Sequence, residues 1–170
     1  MARALMVVAP ETFRDEEYAH PKQVLESRGV LVDTASTRRG ICRGRFGLTT
    51  EANLAIGEAD AADYDAVIFV GGGGAEIYFD DVVAHALATR AYELGRIVAA
   101  ICIAPSVLAH AGLLAERHVT SFETRQKDLE AHGARFTGRP VEVDATIITA
   151  NGPDAAYEFG ETIADAIAPR

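Results

Sequence analysis

Arg96-Ile97-Val98-Ala99-Ala100-Ile101-Cys102-Ile103-Ala104-Pro105-Ser106-Val107-Leu108 decides the fold. Its first half is an unbroken run of β-branched and small apolar residues, the pattern of a strand covered on both faces. Cys102 interrupts the run, and Pro105 follows three residues later, ahead of a new apolar series. Proline suits the first turn of a helix, where its missing N–H would have had no partner anyway. The stretch therefore predicts a strand, a tight corner at Cys102 and a helix. This is the geometry of a nucleophile elbow, with a thiol in place of the serine of G-x-S-x-G.

An elbow of this kind is expected to acidify the thiol. A free cysteine, with a pKa near 8.5, is only about 3% thiolate at pH 7, and a drop of roughly three units ionises it almost fully. Such a shift corresponds to about 4 kcal/mol. Helix-terminal amides supply about 0.3–1 kcal/mol, rising to ~2 when partly buried, so a second group must help. The spacing equally admits a small, inert core cysteine.

The 170-residue chain predicts one domain, residues 1–170, with a substantial core. A formal net charge of −9 argues against nucleic-acid and anionic-membrane partners. No apolar run approaches the length of a membrane span. The first ten residues, Met-Ala-Arg-Ala-Leu-Met-Val-Val-Ala-Pro, read as a strand and not as a signal peptide. Cys42 and Cys102 lie far apart, which does not make a disulfide framework, and a reducing cytoplasm is the expected setting.

Around the elbow, hydrophobic runs alternate with helical patterns. Residues 4–9, 30–35 and 66–70 predict further strands, and residues 118–121, 141–143 and 146–149 shorter ones. Asp15 is expected to cap a first helix that kinks or restarts at Pro21 and stops at Gly29. Residues 36–50, rich in arginine and glycine, predict a long loop or small hairpin with Cys42 partly exposed. The four glycines at 71–74 follow a strand and precede a helix expected over residues 77–94. Further helices are expected over residues 107–114, 123–132 and 155–167. The glycine run matches neither phosphate-binding signature, so an oxyanion nest or a plain turn is the better reading. The alternation implies βαβ units and a largely parallel sheet, whose reactive groups gather beyond the carboxyl ends of the strands. The loops at 10–17, 71–76 and 102–105 all leave such ends.

Three of these segments and a fourth carry a resemblance. Phe13-Arg14-Asp15-Glu16-Glu17 with Pro21, Val70-Gly71-Gly72-Gly73-Gly74-Ala75-Glu76, Val98-Ala99-Ala100-Ile101-Cys102-Ile103-Ala104-Pro105 and Ile148-Thr149-Ala150-Asn151-Gly152-Pro153 occur in this order. Together they resemble the ThiJ/PfpI superfamily, which includes the parkinsonism-associated deglycase and the PfpI intracellular proteases. The resemblance covers nearly the whole chain and implies a flavodoxin-like α/β three-layer sandwich with a mainly parallel central sheet, and a homodimer. By position it makes Cys102 the nucleophile, Glu17 the adjacent acid, and the Gly72 and Ile103 amides the oxyanion hole. A buried, protonated Glu17 could then be the second group, donating a hydrogen bond to the sulfur.

Departures from the pattern narrow the chemistry. PfpI-type proteases resemble this chain except that a histidine follows their cysteine, where Ile103 stands here. Glu76 matches the glutamate that orients that histidine from a neighbouring subunit, so its partner is missing. Phe122 occupies the place of the histidine near the deglycase site. Glu76 and His20 remain accessory candidates, and His110, on an otherwise apolar helix, reads as a satisfied packing residue. No spacing of histidine, cysteine and carboxylate predicts a metal site, and no cofactor is expected. The residues thus point to a small-molecule enzyme, a glyoxalase, deglycase or hydrolase acting on reactive carbonyls, with Cys102 as nucleophile and Glu17 as proton partner. The competing reading is a redox or stress-response protein whose Cys102 meets an oxidant. Peptide hydrolysis is the weakest reading, because the leaving amine lacks its acid.

Overall fold

The computed structural model describes residues 1–167. In chain order the elements are β1 (Arg3–Val7), β2 (Glu11–Phe13), α1 (Asp15–Ser27), β3 (Leu31–Ser36), β4 (Gly40–Gly44), β5 (Thr49–Ala52), β6 (Leu54–Ala55) and β7 (Ala66–Phe69). After these come α2 (Val82–Glu93), β8 (Ile97–Ile101), α3 (Pro105–His110), β9 (His118–Val119), α4 (Gln126–Ala131), β10 (Arg135–Phe136), β11 (Val141–Asp144), β12 (Ile147–Ala150) and α5 (Ala156–Ile167). A seven-stranded sheet runs β11-β12-β8-β7-β1-β3-β6, parallel throughout except for the edge strand β11.

Strand alternation builds the layers. Met6, Ile68, Ala99, Ile101 and Ile148 point to one face, where Leu25 of α1 and Phe159 and Ile163 of α5 cover them. Leu5, Val7, Val67, Phe69 and Val98 point to the other, against Leu87 and Ala91 of α2, Leu108 of α3 and Leu129 of α4. The result is the flavodoxin-like three-layer sandwich. From β1 the chain moves through α1 to β3 on one side, then returns to β7 on the other and proceeds through α2 to β8. The switch between β1 and β7 leaves a crevice at their carboxyl ends, where such sheets hold their ligands.

Several local expectations are corrected. Pro21 is buried inside α1, which runs unbroken from Asp15 to Ser27. Close docking of α5 accompanies it, since a Cβ on Gly160 would stand 2.8 Å from the Pro21 Cα. Asp15 does not cap the helix; its carboxylate accepts the Phe46 and Leu48 amides at 3.1 and 2.9 Å and ties down the β4–β5 turn. Of the two readings of residues 36–50 the hairpin holds, for β4 and β5 pair antiparallel and β2 joins them in a separate three-stranded sheet. Cys42, expected partly exposed, is fully buried within it because its β4 position faces the α1 layer. The glycine run leads first into a 3-10 segment, Gly73–Tyr78, and α2 begins only at Val82, with Asp81 accepting the Val83 and Ala84 amides.

Candidate active site

Cys102 follows β8 at φ +66°. An L-residue in the left-handed region is strained, and such strain persists only where the surrounding structure enforces it. The Cys102 amide donates to Ala150 O at 2.9 Å, and its carbonyl accepts the Phe122 amide at 2.7 Å. Both flanks of the corner are thus pinned. The left-handed turn also breaks strand alternation, so that Ile101 and Cys102 both pack on the α1 side. Pro105 then opens α3, as the sequence requires.

Glu17 lies in the first turn of α1 and is fully buried. Gly71 is wedged between the two functional side chains. A Cβ there would stand 2.4 Å from Glu17 Oε1 and 2.6 Å from the Cys102 Cβ. Gly72, at φ +97°, would place a Cβ 2.3 Å from the Arg14 amide nitrogen, so only glycine lets the loop pass this close. The Arg14 amide in turn donates to Gly71 O at 2.9 Å, locking the first βα loop to the glycine loop.

Neither Glu17 oxygen has a hydrogen-bond partner at ordinary distance. A buried carboxyl in that state resists ionisation, and burial pushes Glu17 up to about 8, with the nearby Cys102 thiol and Gly71 amide offsetting part of the effect. Burial, followed by the negative charge of Glu17, pushes the Cys102 thiol up to about 12, while the Gly72 and Ile103 amides pull it down. Lost hydration thus opposes the acidic thiol expected from the elbow, and the two amides favour it. Burial favours the protonated form of Glu17. The two groups share one site and titrate as a pair, each opposing the other's charge.

Arg14 brings a positive charge near Glu17 and Cys102, unmarked by any spacing in the sequence. Its guanidinium holds Glu16 Oε2 through two nitrogens at 3.0 and 2.8 Å and lies over the Phe46 ring at 4.9 Å. Glu76 is exposed on the 3-10 segment. His20 stacks on Tyr157 at 4.0 Å and hydrogen-bonds neither Glu17 nor Cys102. Beside the elbow, Ser121, Phe122, Asn151, Gly152 and Pro153 line an open cleft of about 420 Å³. His110 packs beside Phe79 with ring centroids 6.0 Å apart, and both its ring nitrogens are satisfied, by Asp80 at 2.7 Å and Asp128 at 2.9 Å.

The DJ-1/PfpI family profile matches residues 2–166. The chain belongs to the DJ-1/PfpI family. A ThiJ/PfpI domain protein from Brachyspira murdochii superposes with a TM-score of 0.95 at 32% identity, over 97% of this chain and 95% of that one. Deglycase TK1284 of Thermococcus kodakarensis is 31% identical over 91% of this chain and 93% of its own length. A putative cysteine protease of Bacillus subtilis, YraA, is 30% identical over 94% of this chain and 95% of its own. Relatives in the DJ-1/PfpI family thus carry both deglycase and protease names on one architecture. Among the described residues no helix is long and apolar enough to cross a membrane.

Proposed function

We propose that this DJ-1/PfpI protein is a cysteine-dependent enzyme acting on small reactive carbonyl compounds or their adducts, in the manner of a deglycase or glyoxalase. The observation that carries the reading is the pairing of a strained, partly exposed Cys102 with a buried Glu17 that lacks any other hydrogen-bond partner. Perturbed titratable groups of this kind concentrate at functional sites. The neighbouring cleft suits a small molecule.

In this mechanism the Glu17 carboxylate takes the thiol proton as the Cys102 sulfur bonds to the carbonyl carbon. The carbonyl electron pair moves to oxygen, where the Gly72 and Ile103 amides are the available donors. Glu17 then returns the proton to that oxygen, leaving a neutral hemithioacetal. Proton transfer between adjacent groups makes an acidic resting thiol unnecessary. The reactive form is the singly ionised pair, whichever member carries the charge. Peptide hydrolysis fits less well, since Ile103 supplies no proton to a leaving amine.

A second reading, oxidation of Cys102 by peroxide, is favoured by the two amides that face the sulfur, which suit a sulfinate. The raised thiol pKa works against it, because oxidants attack thiolate. Lactate formation from methylglyoxal and amine release from a methylglyoxal–arginine adduct, measured for wild type and Cys102→Ser, test the enzyme reading. Turnover confined to the wild type supports it. Equal turnover in both overturns it, and stoichiometric oxidation at low peroxide without turnover selects the redox reading.

A further inference from the structure

The far end of α3 gathers a second set of reactive groups, separate from the Cys102 pair. His110 closes that helix, while Asp128 and His132 stand one turn apart on α4 and at its end. Positions i and i+4 share a helix face, so Asp128 and His132 project together toward His110. One ligand atom from each of the three lies within 4.8 Å of the others.

Both Asp128 oxygens are engaged. Oδ2 accepts the Ser106 hydroxyl at 2.7 Å and the Arg125 guanidinium at 3.0 Å, while Arg125 also holds Ser106 Oγ at 2.8 Å. Both oxygens lie 2.9 Å from His110 Nε2, and Oδ1 is also 3.7 Å from His132 Nδ1, which hydrogen-bonds the Asp128 carbonyl oxygen at 2.8 Å. Ligands about 2.0–2.2 Å from a tetrahedral zinc ion stand roughly 3.3–3.5 Å apart, a separation the two Oδ1 distances bracket. On its other side His110 Nδ1 meets the Asp80 carboxylate at 2.7 Å. A carboxylate on the remote imidazole nitrogen is what orients metal-bound histidine and raises its basicity.

We propose that His110, Asp128 and His132 form a binding site for a borderline divalent cation of the zinc class, with Asp80 orienting His110. Two imidazoles and one carboxylate select zinc, cobalt or nickel over magnesium and calcium, which take oxygen ligands. Binding replaces the His110 Nε2 proton, which passes to solvent. The imidazole rings lie 23° from parallel with centroids 4.6 Å apart, so His132 turns about its side-chain bonds to aim a nitrogen at the ion. Its 38% side-chain exposure leaves room to do so. Arg125 opposes the ion electrostatically but engages Oδ2, leaving Oδ1 to coordinate. The cation joins α3 to α4 and leaves the remaining coordination positions to water.

Chelator-treated Cys102→Ser protein, which removes thiolate binding at the elbow, is titrated with Zn²⁺ by calorimetry and with Co²⁺ by visible absorption. One equivalent is expected, with cobalt bands of low coordination number. His132→Ala, whose exposed side chain leaves the fold intact, weakens binding at least about tenfold, the size of one lost ligand contact. His110→Gln does the same, while His118→Ala, remote on β9, changes nothing. No heat and no cobalt spectrum, or binding that persists undiminished in His132→Ala, overturns the site.

Discussion

Glu17 and Asp128 are carboxylates one helix turn or less from a helix start, and the protein treats them oppositely. Glu17 is sealed from water without a hydrogen-bond partner, and burial drives it up to about 8. Asp128 also loses hydration, yet Ser106, His110 and Arg125 more than compensate and hold it below its ordinary value. Burial alone therefore does not predict behaviour; the number of donors supplied decides it. At Asp128 the fold spends polar groups on order. At Glu17 it withholds them and keeps a proton available beside a sulfur.

The largest effect that can break this contrast is Cys102→Ser, which should lower methylglyoxal turnover by about 10⁴-fold or more in a lactate assay, as loss of a nucleophile does elsewhere. Retained turnover would place the chemistry outside the pair. Glu17→Gln should reveal what the withheld donors cost. Because the folded pKa of Glu17 lies above its unfolded value, the native state binds the extra proton, and stability falls as pH rises from about 4.5 through about 8. Fully developed, that loss is on the order of 5 kcal/mol. Thermal melts should therefore show Glu17→Gln gaining on the wild type toward pH 9, with the gap closing near pH 5.

The same substitution should cut kcat/KM by about 10²–10³-fold. It should also remove a rise in cysteine alkylation centred near the Glu17 value of about 8, followed with iodoacetamide across pH. An unchanged alkylation profile counts against shared titration. Gly71→Ala sharpens the comparison sterically. A methyl group 2.4 Å from Glu17 Oε1 must part the pair, costing about 1–3 kcal/mol in denaturant melts and lowering turnover more than stability alone explains. The smallest effect belongs to Asp128→Asn. It keeps the shape but weakens charge-assisted bonds to His110 and Arg125, for about 1–2 kcal/mol and no loss of turnover.

Much of this was legible along the chain. The apolar run at residues 97–101 and Pro105 placed a strand and a helix around Cys102, and the corner lies there at φ +66°. The glycine run was legible as a loop of close approach, and Gly71 and Gly72 are the positions that need it. The 3-10 segment was not, since its residue Gly74 sits where a Cβ would stand 2.0 Å from Glu11 O, a close approach that exists only in the folded chain. Cys42 was misjudged for a related reason. Arginine and glycine around it suggest a solvated loop, but pairing of β4 with both β2 and β5 turns its side chain inward. The cluster of His110, Asp128 and His132 had no linear signal, because 18 residues separate its first two members.

The sequence by itself determined which segments become strands and helices, and that a thiol stands where a sheet strand gives way to a helix. These follow from hydrophobic periodicity, proline and glycine, whose influence reaches only a few residues. Tertiary structure alone decided what surrounds that thiol. Hydration lost and donors gained are sums over every neighbour, and Glu17, Gly71 and Cys102 become neighbours only when the crevice between β1 and β7 closes around them.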